Sequence, residues 1–168
     1  MNTAAPAHAA LSGMPQGLPQ VMNLGNLLTQ TARKYPDRPG FIQGDATCAW
    51  SQINARVDAL AHHLQAQGIA PGDRILVQLA NGLPLFESAW AAFKLGAVWV
   101  PVNYRLTPAE VAYIAKSSGA EMMITQSAFD DHVAAVMAES PALLRVLRTD
   151  QPAYEAIVSV HSAPFETA

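Results

Sequence analysis

A short polar loop, Asn103-Tyr104-Arg105-Leu106-Thr107, holds the residues of this sequence that are best suited to contact a ligand. The loop follows an apolar run of strand type and leads into Thr-Pro-x-Glu, a pattern that begins a helix with proline in its first turn. Loops after the C-terminal ends of parallel strands line ligand crevices, and a helix N-terminus can hold an anion. Arg105 would add a charge-assisted donor, Tyr104 a flat surface and Asn103 an amide that orients either group. The structural alternative is an exposed arginine beside a tyrosine packed on the rim.

Other motifs that carry chemistry are missing from the sequence. It has no Gly-Lys-Ser/Thr phosphate loop, no three-glycine dinucleotide turn and no Gly-x-Ser-x-Gly elbow. The turn at Asn81-Gly82 therefore reads as structural. The histidines form no pair at the i, i+4 spacing of helical metal ligands, so we expect solvated or core-edge side chains; they are His8, His62, His63, His132 and His161.

The composition narrows the classes of partner. With 168 residues and 51% apolar content, the chain is long enough to bury a core as one globular domain. Charged residues make up 14% and the net charge is -3, which gives no basic surface for nucleic acid. The single cysteine, Cys48, excludes an internal disulfide, and we interpret it as a small hydrophobic strand residue. No apolar run is long enough for a transmembrane segment.

The elements that must position the loop alternate along the chain. A helix is expected from Asn23, then a hairpin around Gly44-Asp45, and a second helix capped by Ser51 and closed by Gly68. Strands and helices then alternate, with the strand runs "RILVQLA", "AVWVPV", "AEMMIT" and "LLRVLR". This order predicts an α/β fold with a mostly parallel sheet flanked by helices, and Pro101 indicates either that pairing of the second strand fades at its end or that the strand lies at an edge.

The sequence divides into three parts. Residues 1–22 lack lysine and arginine and read as a flexible leader. Residues 23–150 form the α/β unit with a short β-hairpin near residues 40–50. Residues 151–168 read as a tail in which a helix can start at Pro152 but finds nothing left to pack against.

Three longer stretches carry a family resemblance. "NLGNLLTQTARKYPDRPGFI", "WSQINARVDALAHHLQAQGIAPGDRILVQLANG" and "FKLGAVWVPVNYRLTPAEVAYIAKSSGAEMMIT" resemble the N-terminal segment of the AMP-forming, adenylate-forming acyl-CoA synthetases, over residues 23 to about 150. "AWSQI" is similar to the family's Thr-Tyr/Trp-x-Glu-Leu pattern, and "FKLGAVWVPVN" to its Leu-Lys-x-Gly-Ala-x-Tyr-Val-Pro pattern. Ala49 and Gln52 depart from the first pattern. Asn103 stands where amino-acid-activating domains usually have Asp, which favours acyl-CoA ligases.

The resemblance implies a two-step reaction for a complete enzyme. A carboxylic acid and ATP, with Mg²⁺, give an acyl-adenylate and pyrophosphate, and the thiol of CoA then displaces AMP. The family's Ser/Thr-Gly-rich ATP loop, acyl pocket and catalytic lysine lie downstream of the matched region, and no such loop occurs in these residues. We therefore expect this chain to hold no cofactor and to be inactive alone. Its implied partner is the remainder of the synthetase. Apolar surface that a partial domain leaves uncovered also favours a homodimer, and we expect a cytoplasmic location.

The resemblance also gives the polar loop a ligand. In some acyl-CoA synthetases the loop at this place approaches the nucleotide of CoA, so Asn103, Tyr104 and Arg105 become candidate CoA contacts. Two other interpretations stay open at this point. One is a self-contained flavodoxin-like module that binds a nucleotide or flavin, and the other is an interaction module without catalysis.

Overall fold

The computed structural model describes residues 23–140 and 145–167. Its helices are α1 (Gly25–Lys34), α2 (Trp50–Ala66), α3 (Leu83–Leu95), α4 (Pro108–Ser118), α5 (Asp130–Glu139) and α6 (Pro152–Val158). The strands are β1 (Pro39–Gln43), β2 (Ala46–Ala49), β3 (Arg74–Val77), β4 (Val98–Pro101), β5 (Met122–Thr125) and β6 (Arg145–Arg148). A 3₁₀ turn at Ser127–Phe129 leads into α5. The proposed leader, residues 1–22, lies outside the described residues.

Four strands form the parallel sheet that the sequence predicts. The strand order is β4-β3-β5-β6, and every neighbouring pair is parallel. β4 lies at an edge, as Pro101 suggested, because a proline cannot donate a ladder hydrogen bond. The first two residues of "LLRVLR" lie outside the described residues, and β6 begins at Arg145.

The hairpin is confirmed as well. β1 and β2 pair antiparallel, with Gln43 opposite Ala46. Gly44 has φ +57° in the turn between them, a backbone conformation that glycine adopts without strain. The hairpin therefore forms a separate two-stranded sheet that leads directly into α2.

Alternate residues of the sheet bury into two separate cores. Ile75 and Val77 of β3 join the core formed with α2 and α3, while Leu76 between them joins the core formed with α4 and α5. Met122 and Met123 divide in the same way. A sheet covered on both faces explains why its strands read as continuous apolar runs rather than alternating ones.

Local signals set most helix ends. Gly96 and Gly119 have left-handed conformations at the C-caps of α3 and α4, and Thr107 caps α4. The expectation that Ser51 caps α2 is wrong, because the helix already begins at Trp50. Gln52 Oε1 accepts the Ala49 amide at 2.9 Å, and the Ser51 hydroxyl donates to the Pro36 carbonyl at 2.8 Å.

The segment after β6 packs on the domain, which corrects the expectation that it has nothing to pack against. Tyr154, Val158 and Phe165 are buried in the core beside α2. His62 Nε2 donates to the Ala163 carbonyl at 3.1 Å, and its ring lies 4.8 Å from that of Phe165, edge to face. Helix propensity alone did not reveal this docking, since it depends on partners about 100 residues away.

Candidate functional site

The polar loop lies where the sequence analysis placed it, beyond the C-terminal end of β4. The Val102 amide donates to the Val77 carbonyl at 2.9 Å, so strand pairing continues one residue past β4 before the loop begins. β4 is parallel to β3, and β3 is parallel to β5. The loop residues Asn103, Tyr104 and Arg105 therefore lie at the C-terminal ends of the parallel strands, which is where parallel α/β folds hold their ligands.

Asn103 shapes the loop from within. Its Oδ1 accepts the backbone amide of Arg105 at 2.9 Å, and its carbonyl accepts the amide of Leu106 at 3.1 Å. Asparagine favours such turns because its side chain reaches the backbone two residues ahead. Its side-chain oxygen thus bonds within the loop, to the backbone of Arg105, and a role in ligand binding stays a prediction.

Tyr104 and Arg105 face solvent as a stacked pair. The guanidinium carbon of Arg105 lies 5.4 Å from the centroid of the Tyr104 ring, within the range of a cation–π contact. Tyr104 is 42% exposed, and Arg105 is also exposed. An aromatic face beside a planar cation can stack a base and bind a phosphate.

The N-terminus of α4 is closed by its own side chains. Glu110 Oε2 accepts hydrogen bonds from the amide and the hydroxyl of Thr107, both at 2.8 Å, and the Glu110 amide donates to that hydroxyl at 3.4 Å. The backbone bond, and then the hydroxyl bond, lower the pKa of Glu110. A carboxylate thus occupies the place where the sequence suggested an anion, which leaves Arg105 as the cation of the loop.

An open groove runs beside the loop along α4. It has a volume of about 490 Å³ and is lined by Leu106, Ala109, Glu110, Tyr113 and Ile114. Tyr113 is 70% exposed at its wall. The loop therefore borders a mostly apolar surface that is wide enough for part of an organic ligand.

α5 reaches the loop through a residue that the sequence analysis assigned to the solvated or core-edge histidines. His132 Nε2 lies 2.8 Å from the Leu106 carbonyl, 26 residues away in sequence. The rings of His132 and Phe129 pack edge to face, with their centroids 5.5 Å apart. No local pattern signals such a contact, because it depends on how α5 packs against the β4–α4 connection.

Two buried charge clusters on the opposite face were also missed. Lys94 Nζ bonds Asp58 Oδ1 at 2.5 Å and Asn54 Oδ1 at 2.8 Å. In the second cluster Glu87 accepts from Arg56 and from the Tyr154 hydroxyl. In the sequence, the feature that indicates these clusters is a lysine and a glutamate within an apolar helix. Both clusters connect helices to one another and do not open onto a cleft.

Two features of the described residues bear on ATP and Mg²⁺, the placement of metal-ligating side chains and the turn after β3. Within residues 23–140 and 145–167, no group of three or more His, Cys, Asp or Glu is placed to hold a metal ion. The turn after β3 is held by Gln126 Oε1, which accepts the Ala80 amide at 3.0 Å, and it has no glycine-rich cradle for phosphates. In the same part of the chain, no helix has the length and apolar character needed to cross a membrane.

Comparisons with known proteins agree with this geometry. The family model for "AMP-binding enzyme" matches residues 28–167. A 3-oxocholest-4-en-26-oate–CoA ligase of Rhodococcus rhodochrous is 29% identical over 126 residues, which are 75% of this chain and 23% of that protein. The fatty acid–[acyl-carrier-protein] ligase ScoC of Streptomyces coeruleorubidus is 30% identical over 138 residues, 82% of this chain and 27% of that protein. The chain thus spans about a quarter of these relatives.

Solved structures show the same fold. The inhibitor-bound N-terminal domain of FACL13 from Mycobacterium tuberculosis superposes with a TM-score of 0.79 at 26% identity, covering 87% of this chain and 37% of that one. The anthranilate CoA ligase AuaEII gives a TM-score of 0.80 at 19% identity, covering 90% and 30%. Because the family match extends over residues 28–167, the chain belongs to the AMP-binding enzyme family, and its relatives include acyl-CoA ligases.

Proposed function

We propose that this chain is a segment of an AMP-forming acyl-CoA ligase and that its loop Asn103–Thr107 contacts the nucleotide end of CoA. In the complete reaction a carboxylic acid and ATP give an acyl-adenylate and pyrophosphate, and CoA then displaces AMP. The observation that carries the proposal is the exposed Tyr104–Arg105 pair, held at the ligand edge of the sheet by Asn103. Arg105 would bind a CoA phosphate, and Tyr104 would stack on the adenine.

The first experiment measures CoA binding to the chain itself by NMR titration. CoA should shift the resonances of residues 103–107, and Arg105→Ala should weaken binding about tenfold, the loss expected for one charge-assisted hydrogen bond. Arg38→Ala is a matched control, because Arg38 also lies 5.4 Å from a tyrosine ring, that of Tyr35, but far along the chain from the loop. Equal affinity in wild type and Arg105→Ala, or shifts centred elsewhere, would refute the CoA contact.

The chain alone should not adenylate acids. Among residues 23–140 and 145–167 no group of three or more His, Cys, Asp or Glu is placed to hold a metal ion, and electrostatic stabilisation of the transferring phosphoryl group is the main catalytic contribution in such reactions. We also propose a cytoplasmic location and self-association as a dimer through uncovered apolar surface such as the groove on α4. Incubation with ATP, Mg²⁺ and a panel of carboxylic acids tests whether the chain alone adenylates acids, since pyrophosphate release above a blank would contradict the expectation. Sedimentation tests whether the chain forms a dimer.

One observation favours a second candidate, a flavodoxin-like binding module. The order β4-β3-β5-β6 places the first strand of the sheet second, which is the flavodoxin arrangement, with its ligand crevice between β3 and β5. Gln78 and Thr125 lie next to each other at that point, fully buried and without hydrogen-bond partners for their side-chain polar atoms among the described residues. A rise in Tm with FMN but not with CoA would favour this module over the ligase segment.

A further inference from the structure

We propose that His132 is a positioning residue that locks the loop Asn103–Thr107 in the shape that presents Tyr104 and Arg105. This inference rests on the proposed function, since it concerns the same loop. The contact joins the imidazole to a backbone carbonyl, which accepts hydrogen bonds and cannot donate them, so Nε2 carries the hydrogen. His132 thereby holds the loop from outside, at Leu106, while Asn103 holds it from inside.

The hydrogen bond from His132 to the Leu106 carbonyl lies where it can hold the shape of the loop. Leu106 is the residue between the exposed pair and the helix cap at Thr107, and its amide and carbonyl both have partners, Asn103 and His132. The Leu106 side chain packs with the core between the sheet and α4. Loss of the His132 bond would free a carbonyl at the point where the loop turns into α4, and the loop could then adopt other shapes.

The imidazole itself is held in place. It packs edge to face on Phe129, and its Nδ1 is buried with no hydrogen-bond partner among the described residues. Leaving a buried polar atom unpaired costs free energy, so the ring is not placed to satisfy both nitrogens. The orientation satisfies the Leu106 carbonyl instead, which fits a positioning role better than a general core-edge role.

Amide exchange in the chain tests the proposal directly. The amides of Arg105 and Leu106 report the loop shape, because both donate to Asn103. His132→Leu removes the donor and should speed their exchange by about threefold to tenfold, the effect of one hydrogen bond of ordinary strength. His132→Gln offers an amide nitrogen in place of Nε2 and should restore protection. His161→Leu, at an exposed histidine, is the control and should change neither amide.

Three outcomes would overturn the proposal. One is unchanged exchange of both loop amides in a folded His132→Leu variant. Another is faster exchange throughout the chain, including the β3 amides, which would indicate general destabilisation. The third is a ¹⁵N shift pattern in wild type that places the imidazole hydrogen on Nδ1 with Nε2 bare.

CoA titrations then separate this proposal from the proposed function. If both hold, His132→Leu should weaken CoA binding by the same threefold to tenfold factor, and His132→Gln should restore it. Wild-type binding that His132→Leu leaves unchanged would overturn the positioning role while the CoA site stands. If wild type does not bind CoA, the proposed function fails, and the amide exchange still decides whether His132 locks the loop.

Discussion

Replacement of Lys94 by methionine should destabilise the domain more than any surface substitution of the same type. The side chain of Lys94 is 1% exposed and its ammonium bonds both Asp58 and Asn54. Methionine keeps most of the apolar stem but removes the charge and both hydrogen bonds. Asp58, itself 3% exposed, would lose its ammonium partner and, among the described residues, keep the Asn54 amide, which donates to it at 2.9 Å.

The expected cost follows from that uncompensated carboxylate. Removing one partner of a buried ion pair costs about 3–5 kcal/mol of unfolding free energy. For a chain of 168 residues each 1 kcal/mol lowers Tm by roughly 2–4 °C, so Lys94→Met should lower it by about 6–20 °C. Lys116→Met, at an exposed position in the last turn of α4, should cost less than about 1 kcal/mol.

A double variant shows whether the pair or the lysine alone matters. Burial lowers the pKa of Lys94 even though Asp58 acts to raise it, so desolvation outweighs the attraction. A pair of this kind adds little net stability, and Asp58→Leu combined with Lys94→Met should recover most of the loss. Urea unfolding followed by tryptophan fluorescence measures all four proteins, wild type included. A Lys94→Met variant as stable as Lys116→Met, or a double variant less stable than the single one, would refute the reasoning.

Three further measurements address other parts of the domain. Tyr154→Phe should cost about 1.5–3 kcal/mol in urea unfolding, because the hydroxyl donates to buried Glu87 at 2.5 Å; a loss below 0.5 kcal/mol would contradict this. The lowered pKa of Glu110 means that its contribution is present above the unfolded value of 4.5 and is lost as the pH falls through the folded value. The stability difference between wild type and Glu110→Gln should therefore shrink in acid, and a constant difference would count against it. Burial raises the pKa of Cys48, so a disulfide reagent at pH 8 should modify it more slowly than free cysteine until urea unfolds the chain.

Most features that depend on neighbours along the chain were predictable from the sequence, although the cap of α2 was placed at Ser51 and the helix begins at Trp50. The capping box at Thr107 and Glu110 and the glycine that ends α4 are local patterns, and all appear in the structure. The edge position of β4 was readable from Pro101, since a proline limits pairing whatever the rest of the fold does. The alternation of strand runs and helical runs likewise gave a parallel sheet, because parallel strands need crossover helices.

Features that depend on distant partners were not predictable from those patterns. Lys94 interrupts an apolar helix and reads as a break in hydrophobicity, yet its partners Asn54 and Asp58 lie about 40 residues earlier, one helical turn apart on α2. The docking of Phe165 against His62 spans about 100 residues. In each case a polar or late residue joins the core only because another helix supplies the complementary group, which no single-chain periodicity encodes.

The candidate loop contains both kinds of feature, those that the sequence could predict and those that it could not. The sequence proposed Tyr104 and Arg105 as ligand contacts, because an aromatic ring and a cation after a strand are recognisable by type. It also proposed Asn103, whose side-chain oxygen accepts the Arg105 amide in the structure, and it gave His132 no role in the loop. The residues that shape this loop bond to its backbone amides and carbonyls. Because residue type does not mark which backbone group will be bonded, the sequence does not reveal these contacts. A loop's presenting residues can therefore be proposed from residue types, but its shaping residues emerge only when the packing of neighbouring helices is known.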